Sequence, residues 1–102
     1  MKDPLKMLRQ VQQMQDRMNK VQSELETETV EATAGGGAIR VVATGTQKLV
    51  SVTIDPAAAG ELEMLQDMVV AVVNEAMEKS KELAAVKMQA VAAGLGLPPG
   101  LV

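Results

Sequence analysis

Apolar residues near the start of the chain recur at Pro4, Met7, Val11, Met14, Met18, Val21 and Leu25. This 3-4-3-4 spacing is a heptad seam, and Gln10, Gln12, Gln13, Gln15 and Gln22 surround it. Such a pattern predicts an amphipathic helix over about residues 4–25. Asp3 is placed to cap its first amides, and Pro4 suits the first helical position because its missing N–H would be unpaired there anyway. The seam serves either a core beneath the helix or pairing with a second long helix.

From about residue 27 the period falls to two. "TETVEAT" reads as a solvated edge strand. Ile39, Val41 and Ala43 then alternate with Arg40, Val42 and Thr44, and Val50, Val52 and Ile54 with Leu49, Ser51 and Thr53. Both runs read as strands with one apolar face, joined by a turn at Gly45. Strands over about residues 27–54 therefore form an antiparallel meander. A second cap-and-proline pair, Asp55-Pro56, opens the last segment. There Leu62, Leu65, Val69, Val72, Ala76, Leu83, Val86 and Ala90 repeat the heptad spacing, with Lys79 as the one break. A helix over about residues 61–93 follows, ended by the Gly/Pro-rich tail, residues 94–102. Its first half is expected to pack on the sheet and its second half to project past it. If the two helices run side by side, their far ends near Pro4 and Ala90 meet. The fold class is α+β, with element order α-β-β-β-α, a three-stranded antiparallel sheet and two long helices in one domain, residues 1–102.

Composition narrows the chemistry. The 102 residues contain no Cys, His, Phe, Tyr or Trp. Thiolate and imidazole chemistry are thereby excluded. A base-stacking platform for single-stranded nucleic acid is equally disfavoured. No cofactor motif, metal-ligand cluster or catalytic constellation stands out, so the chain reads as a binding or structural protein and not an enzyme. A core without aromatics buries less area per residue, which favours oligomerisation. No apolar leader opens the chain and no stretch reaches membrane-spanning length, so a soluble, cytoplasmic protein is expected.

Charge is unevenly distributed. The formal net charge is −3, yet residues 1–25 hold Lys2, Lys6, Arg9, Arg17 and Lys20 against Asp3, Asp16 and Glu24. Residues 61–78 carry five acids and no base, and residues 79–102 carry Lys79, Lys81 and Lys87 against Glu82. With the far helix ends together, this pattern gives an acidic or neutral body with basic tips suited to phosphates. A solvated helix face with i,i+4 partners is the plainer reading of the same residues.

The run "AGGGA" raises nucleotide binding and then fails its tests. A phosphate-binding loop of that kind leads into a helix, whereas Gly35, Gly36 and Gly37 lead into a strand with no Lys before Lys48. The glycines read as a turn needing positive φ or close backbone approach. Asn74 and Glu75 fall off the heptad seam, which leaves them to solvent or to a contact across a subunit interface.

Several segments together resemble the YbaB/EbfC family of bacterial nucleoid-associated proteins. They are "LRQVQQMQDRMNKVQSEL", "AGGGAIRVVATGTQKLVSVTIDP", "VVNEAMEKSKELAAVKM" and "GLGLPPGLV", in that order along nearly the whole chain. The linker "AAAGELEML" is short for the family. The resemblance implies a tweezer-like homodimer that binds double-stranded DNA in the nucleoid, with no catalysis, cofactor, membrane or small-molecule substrate. It places Gly35, Gly36, Gly37, Ile54, Asp55, Pro56 and Asn74 at fold or dimer positions. Charge geometry nominates Lys6, Arg9, Lys81 and Lys87 for phosphate contact, followed by Lys2, Arg17, Lys20 and Lys79. A prefoldin-like chaperone or coiled-coil adaptor is the alternative, favoured if Leu5, Leu8, Met88 and Val91 leave apolar surface at the helix ends.

Overall fold

The computed structural model describes residues 3–94, so Lys2 and residues 95–102, including nearly all of the Gly/Pro-rich tail, lie outside the described residues. Helix α1 is Pro4–Thr27, strands β1, β2 and β3 are Thr29–Ala34, Ile39–Thr44 and Leu49–Ile54, and helix α2 is Leu62–Gly94. A single 3₁₀ turn, Pro56–Gly60, precedes α2. The sheet is antiparallel in the order β1-β2-β3. This is the α-β-β-β-α arrangement that the hydrophobic periods predict.

Local chemistry explains where the elements start. Asp3 has extended backbone and its carboxylate accepts the Leu5 N–H at 3.0 Å, with Pro4 as the first helical residue. Asp55 does the same for the 3₁₀ turn, accepting from Ala57 N–H at 3.0 Å, while its own N–H donates to the Ala38 carbonyl at 2.8 Å. Between β1 and β2, Gly35, Gly36 and Gly37 all have positive φ, at 63°, 68° and 96°. Side chains with a Cβ rarely adopt that conformation, which is why three glycines stand together there.

Strand register builds the core. Ala32 pairs with Val41, and Ala34 with Ile39, so period-2 alternation sends Ala32, Ile39, Val41 and Ala43 to one face. These four are at most 2% exposed and pack with Val72 and Ala76 of α2. The alanines at these contacts let α2 lie close over β1 and β2. Strand β3 has no such cover, and all six of its residues are exposed. Val50 is the extra residue of a bulge opposite Val42 and Ala43. The apolar row Val50, Val52 and Ile54 is 58%, 43% and 37% exposed.

A second, smaller core lies where the helices meet, formed by Val21, Leu25 and Val91 with Met18, Leu83, Ala84 and Met88 against them. The buried row of α2 departs from the heptad reading here. Val72, Ala76, Ser80 and Val91 are buried, whereas Leu62 and Val86 are 64% and 56% exposed. A straight helix drifts about 20° per heptad against a 3.5-residue repeat, so a seam cannot hold that register for four heptads. Steps of four, three and four residues take over instead, and Ser80 occupies the core position beside which Lys79 looked like a break.

The molecule is elongated, 68 × 21 × 16 Å. Much of α2 is spent over the sheet, so its last residue, Gly94, lies against Arg17. The far ends therefore do not meet. Ala90 faces Arg17, Lys20 and Val21, and α1 continues alone from Arg17 to Pro4, about 20 Å at 1.5 Å per residue.

Candidate nucleic-acid interface

The projecting helix carries the cleanest charge feature of the described residues. Lys6, Arg9, Arg17 and Lys20 are all exposed and none forms an ion pair with a described residue. At 100° per residue they fall within about 80° of arc, with Gln13 in the same sector, and they span about 21 Å of helix. They form a stripe along α1, beside the seam and not on it. Held by a helix, their spacing is set by the backbone, while the long side chains keep their reach.

The lysines of α2 are placed differently. Lys87 sits in the row that faces α1, its side chain 26% exposed, with Nζ 2.5 Å from Glu28 Oε2 and 3.6 Å from Glu24 Oε1. The Glu28 carboxylate, chiefly, and Glu24 hold the Lys87 ammonium above the usual lysine range, against partial burial. Glu24 lies in the same sector of α1 as the basic stripe, so Lys87 neutralises the carboxylate that would otherwise end it. Lys79 Nζ donates to the Glu31 carbonyl of β1 at 2.9 Å. Lys81 projects from α2 on the side away from its buried row, about 100° from Ser80. The structure thus gathers the four α1 cations and leaves those of α2 apart from them and from one another.

Around the sheet the electrostatics change sign. The acids Glu61, Glu63, Asp67, Glu75 and Glu78 lie on or just before the part of α2 that covers the sheet. On the opposite sheet surface the Arg40 fork grips Glu31, with Nη2 2.8 Å from Oε2, and that hydrogen bond holds the Glu31 carboxyl below its ordinary range. Asn74 and Glu75 are exposed. Ile54 ends the bare strand β3, and Asp55 and Pro56 begin the 3₁₀ turn.

Two features escaped the sequence reading. One is the junction that anchors α1 and α2 to the β2–β3 turn. There the buried Ser80 Oγ donates to the Thr44 carbonyl at 2.6 Å and accepts from Gln47 N–H at 3.1 Å and Nε2 at 3.0 Å. In the same place Gly45 N–H donates to both the Leu25 and Glu28 carbonyls at 2.9 Å. The other is the internal role of Lys87, whose spacing from Ser80 and Val91 was the available signal.

Chemically, the stripe suits a linear polyanion. Phosphate oxygens need only exposed donors at repeated spacing, and α1 supplies guanidinium and ammonium groups with glutamine amides between them.

Comparison with known proteins agrees with this geometry. A family model described as the YbaB/EbfC DNA-binding family matches residues 1–95. The chain is 45% identical over 97 residues to a nucleoid-associated protein of Acetivibrio thermocellus, covering 93% of this chain and 86% of that one. It is 47% identical over 95 residues to a nucleoid-associated protein of Desulforamulus reducens, with 91% and 90% covered. A third relative so named, from Dictyoglomus turgidum, is 40% identical over 103 residues, with 99% of each chain covered. Among solved structures, an uncharacterized protein from Helicobacter pylori superposes with a TM-score of 0.63 at 19% identity, covering 71% of this chain and 86% of that chain. At that identity the likeness shows the fold alone.

Proposed function

The chain belongs to the YbaB/EbfC DNA-binding family, and from that premise we propose that it is a nucleoid-associated protein whose homodimer grips duplex DNA through the basic stripe of α1. The observation that carries the reading is the set Lys6, Arg9, Arg17 and Lys20, exposed and on one sector of a projecting helix. Phosphate contacts position a protein without reading bases, so binding is mostly sequence-tolerant, and any preference comes from DNA shape or deformability. Such a protein contributes to nucleoid organisation and gene regulation within the cytoplasm by occupying and shaping DNA.

The dimer rests on β3. Its apolar row is uncovered and its outer edge offers unpaired backbone donors and acceptors, a surface that a second copy satisfies under two-fold symmetry. Two-fold symmetry then presents two stripes, eight cations in all. Eight phosphate contacts correspond to a slope of log K against log salt of about −7, or roughly a 10⁴-fold loss of affinity between 50 and 200 mM salt.

The experiment is a titration of a labelled random-sequence duplex at those two salt concentrations, alongside analytical ultracentrifugation for the dimer. Tight binding at low salt that collapses at high salt supports the reading. The chaperone alternative draws on Leu5 and Leu8, which are 64% and 54% exposed, although Met88 and Val91 are taken up in the contact between the helices. Capture of an unfolded polypeptide without duplex binding at low salt would reverse the order of the two.

A further inference from the structure

Beyond Arg17 the seam of α1 continues, but its partner does not. Met7 and Val11 are 63% and 62% exposed. Together with Met14 and Arg17 they line a groove of about 370 Å³ whose mouth is formed by Gly94, the last residue of α2. Residues 95–102 read "LGLPPGLV", with Leu95, Leu97, Leu101 and Val102 apolar and no charge among the eight. We propose that this segment lies along the bare seam of its own α1, seating Leu97 and Leu101 over Met7, Val11 and Met14.

Direction, reach and chemistry all fit. Helix α2 runs from the sheet toward the α1 projection, so a chain leaving Gly94 enters the groove without reversing. Eight extended residues reach about 26 Å, while Arg17 to Met7 is about 15 Å of helix. A helix surface offers no row of backbone partners. The paired prolines 98 and 99 lack N–H groups and favour an extended, strand-free conformation, which lowers the number of backbone donors left unpaired there. Tethering at the mouth of the groove gives this segment a millimolar effective concentration, well above that of a second copy at ordinary protein levels. Docking withdraws the apolar seam from water beside the cationic stripe. It does not depend on DNA binding.

The chain has no cysteine, so Leu101→Cys creates a unique site for a nitroxide label. Methyl spectra of ¹³C-methionine protein should show Met7 and Met14 broadened by the label and Met64 and Met68, on the sheet portion of α2, unaffected. Absence of broadening at Met7 and Met14 overturns the proposal. So does equal broadening when labelled unenriched chains are refolded together with enriched unlabelled ones, which would make a second copy the occupant. Hydrogen exchange of the unlabelled protein gives an independent reading. Leu97→Asp with Leu101→Asp should speed exchange in residues 7–14 about tenfold and leave β2 unchanged, whereas unchanged exchange in residues 7–14 refutes the docking.

Discussion

Replacing Gly45 by Ala should cost far more than its single methyl group suggests. Gly45 lies where the end of α1 meets the β2–β3 turn, and its N–H is shared between the Leu25 and Glu28 carbonyls at 2.9 Å each. A Cβ there would stand 2.6 Å from Leu25 Cδ2, 3.0 Å from the Leu25 carbonyl oxygen and 3.1 Å from Leu25 Cβ. Its φ is not positive, so the cost comes from packing and not from the dihedral. Leu25 is 3% exposed in the core between the helices, and its carbonyl belongs to the last turn of α1, so neither can withdraw easily. Overpacking of this kind costs about 1–3 kcal/mol, and loosening two hydrogen bonds adds about 1 kcal/mol. A total of roughly 2–3 kcal/mol lowers Tm by about 10–20 °C in a domain of this size. The assay is thermal unfolding by far-ultraviolet circular dichroism at matched protomer concentration. Gly60→Ala is the control, since nothing lies within 4 Å of its added Cβ and its φ is not positive. That substitution should be neutral or stabilising by up to about 1 kcal/mol. Equal Tm values for the two variants would refute the close-approach argument.

Ser80→Ala should destabilise by about 1–2 kcal/mol in urea unfolding, and not by the larger cost of full orphaning. Thr44 O keeps the Gln47 N–H at 3.2 Å and Gln47 Nε2 keeps the Gly45 carbonyl at 2.9 Å, so a loss well above that range would show that the junction does more than these bonds account for. The Lys87 pair should fail in alkali. Its folded pKa is raised from 10.5, so its stabilisation is complete below the unfolded value and lost as pH rises through the folded one. The stability difference between the parent protein and Lys87→Met should therefore shrink above about pH 10.5, and a constant difference into alkali would contradict the pairing. Glu31 behaves oppositely. Arg40 lowers its pKa from 4.5, so that contribution is present above the unfolded value and lost as pH falls through the folded one. Arg40→Met should remove this acid limb from the stability profile.

Much of the fold was legible because its causes are local. An Asp before a Pro caps a helix whatever lies elsewhere, and alternation of Ile39, Val41 and Ala43 marks a buried face before the partner is known. What escaped depends on distance along the chain or on cumulative geometry. The α2 row drifts from a heptad by an amount that matters only over many turns, which hid Ser80 beside Lys79. Lys87 looked available because Glu24 and Glu28 lie on another part of the chain. The β3 alternation was visible, but not that α2 would cover β1 and β2 and leave it bare. The cations of α1 were read as belonging to a tip because the far helix ends were expected to meet. Once the sheet has taken its share of α2, they form a stripe along a lone helix instead.

The central claim, phosphate binding by the α1 stripe, is tested most directly by the salt slope of duplex affinity. It should be measured for the parent protein, for Lys6→Ala with Arg9→Ala, and for Lys81→Ala. These side chains are exposed and outside both cores, so folding is retained and the slopes are comparable. Removing two cations per protomer, four per dimer, should flatten the slope by about 3.6, while Lys81→Ala should leave it unchanged. An unchanged slope in the Lys6/Arg9 variant, or an equal flattening by Lys81→Ala alone, would contradict the account.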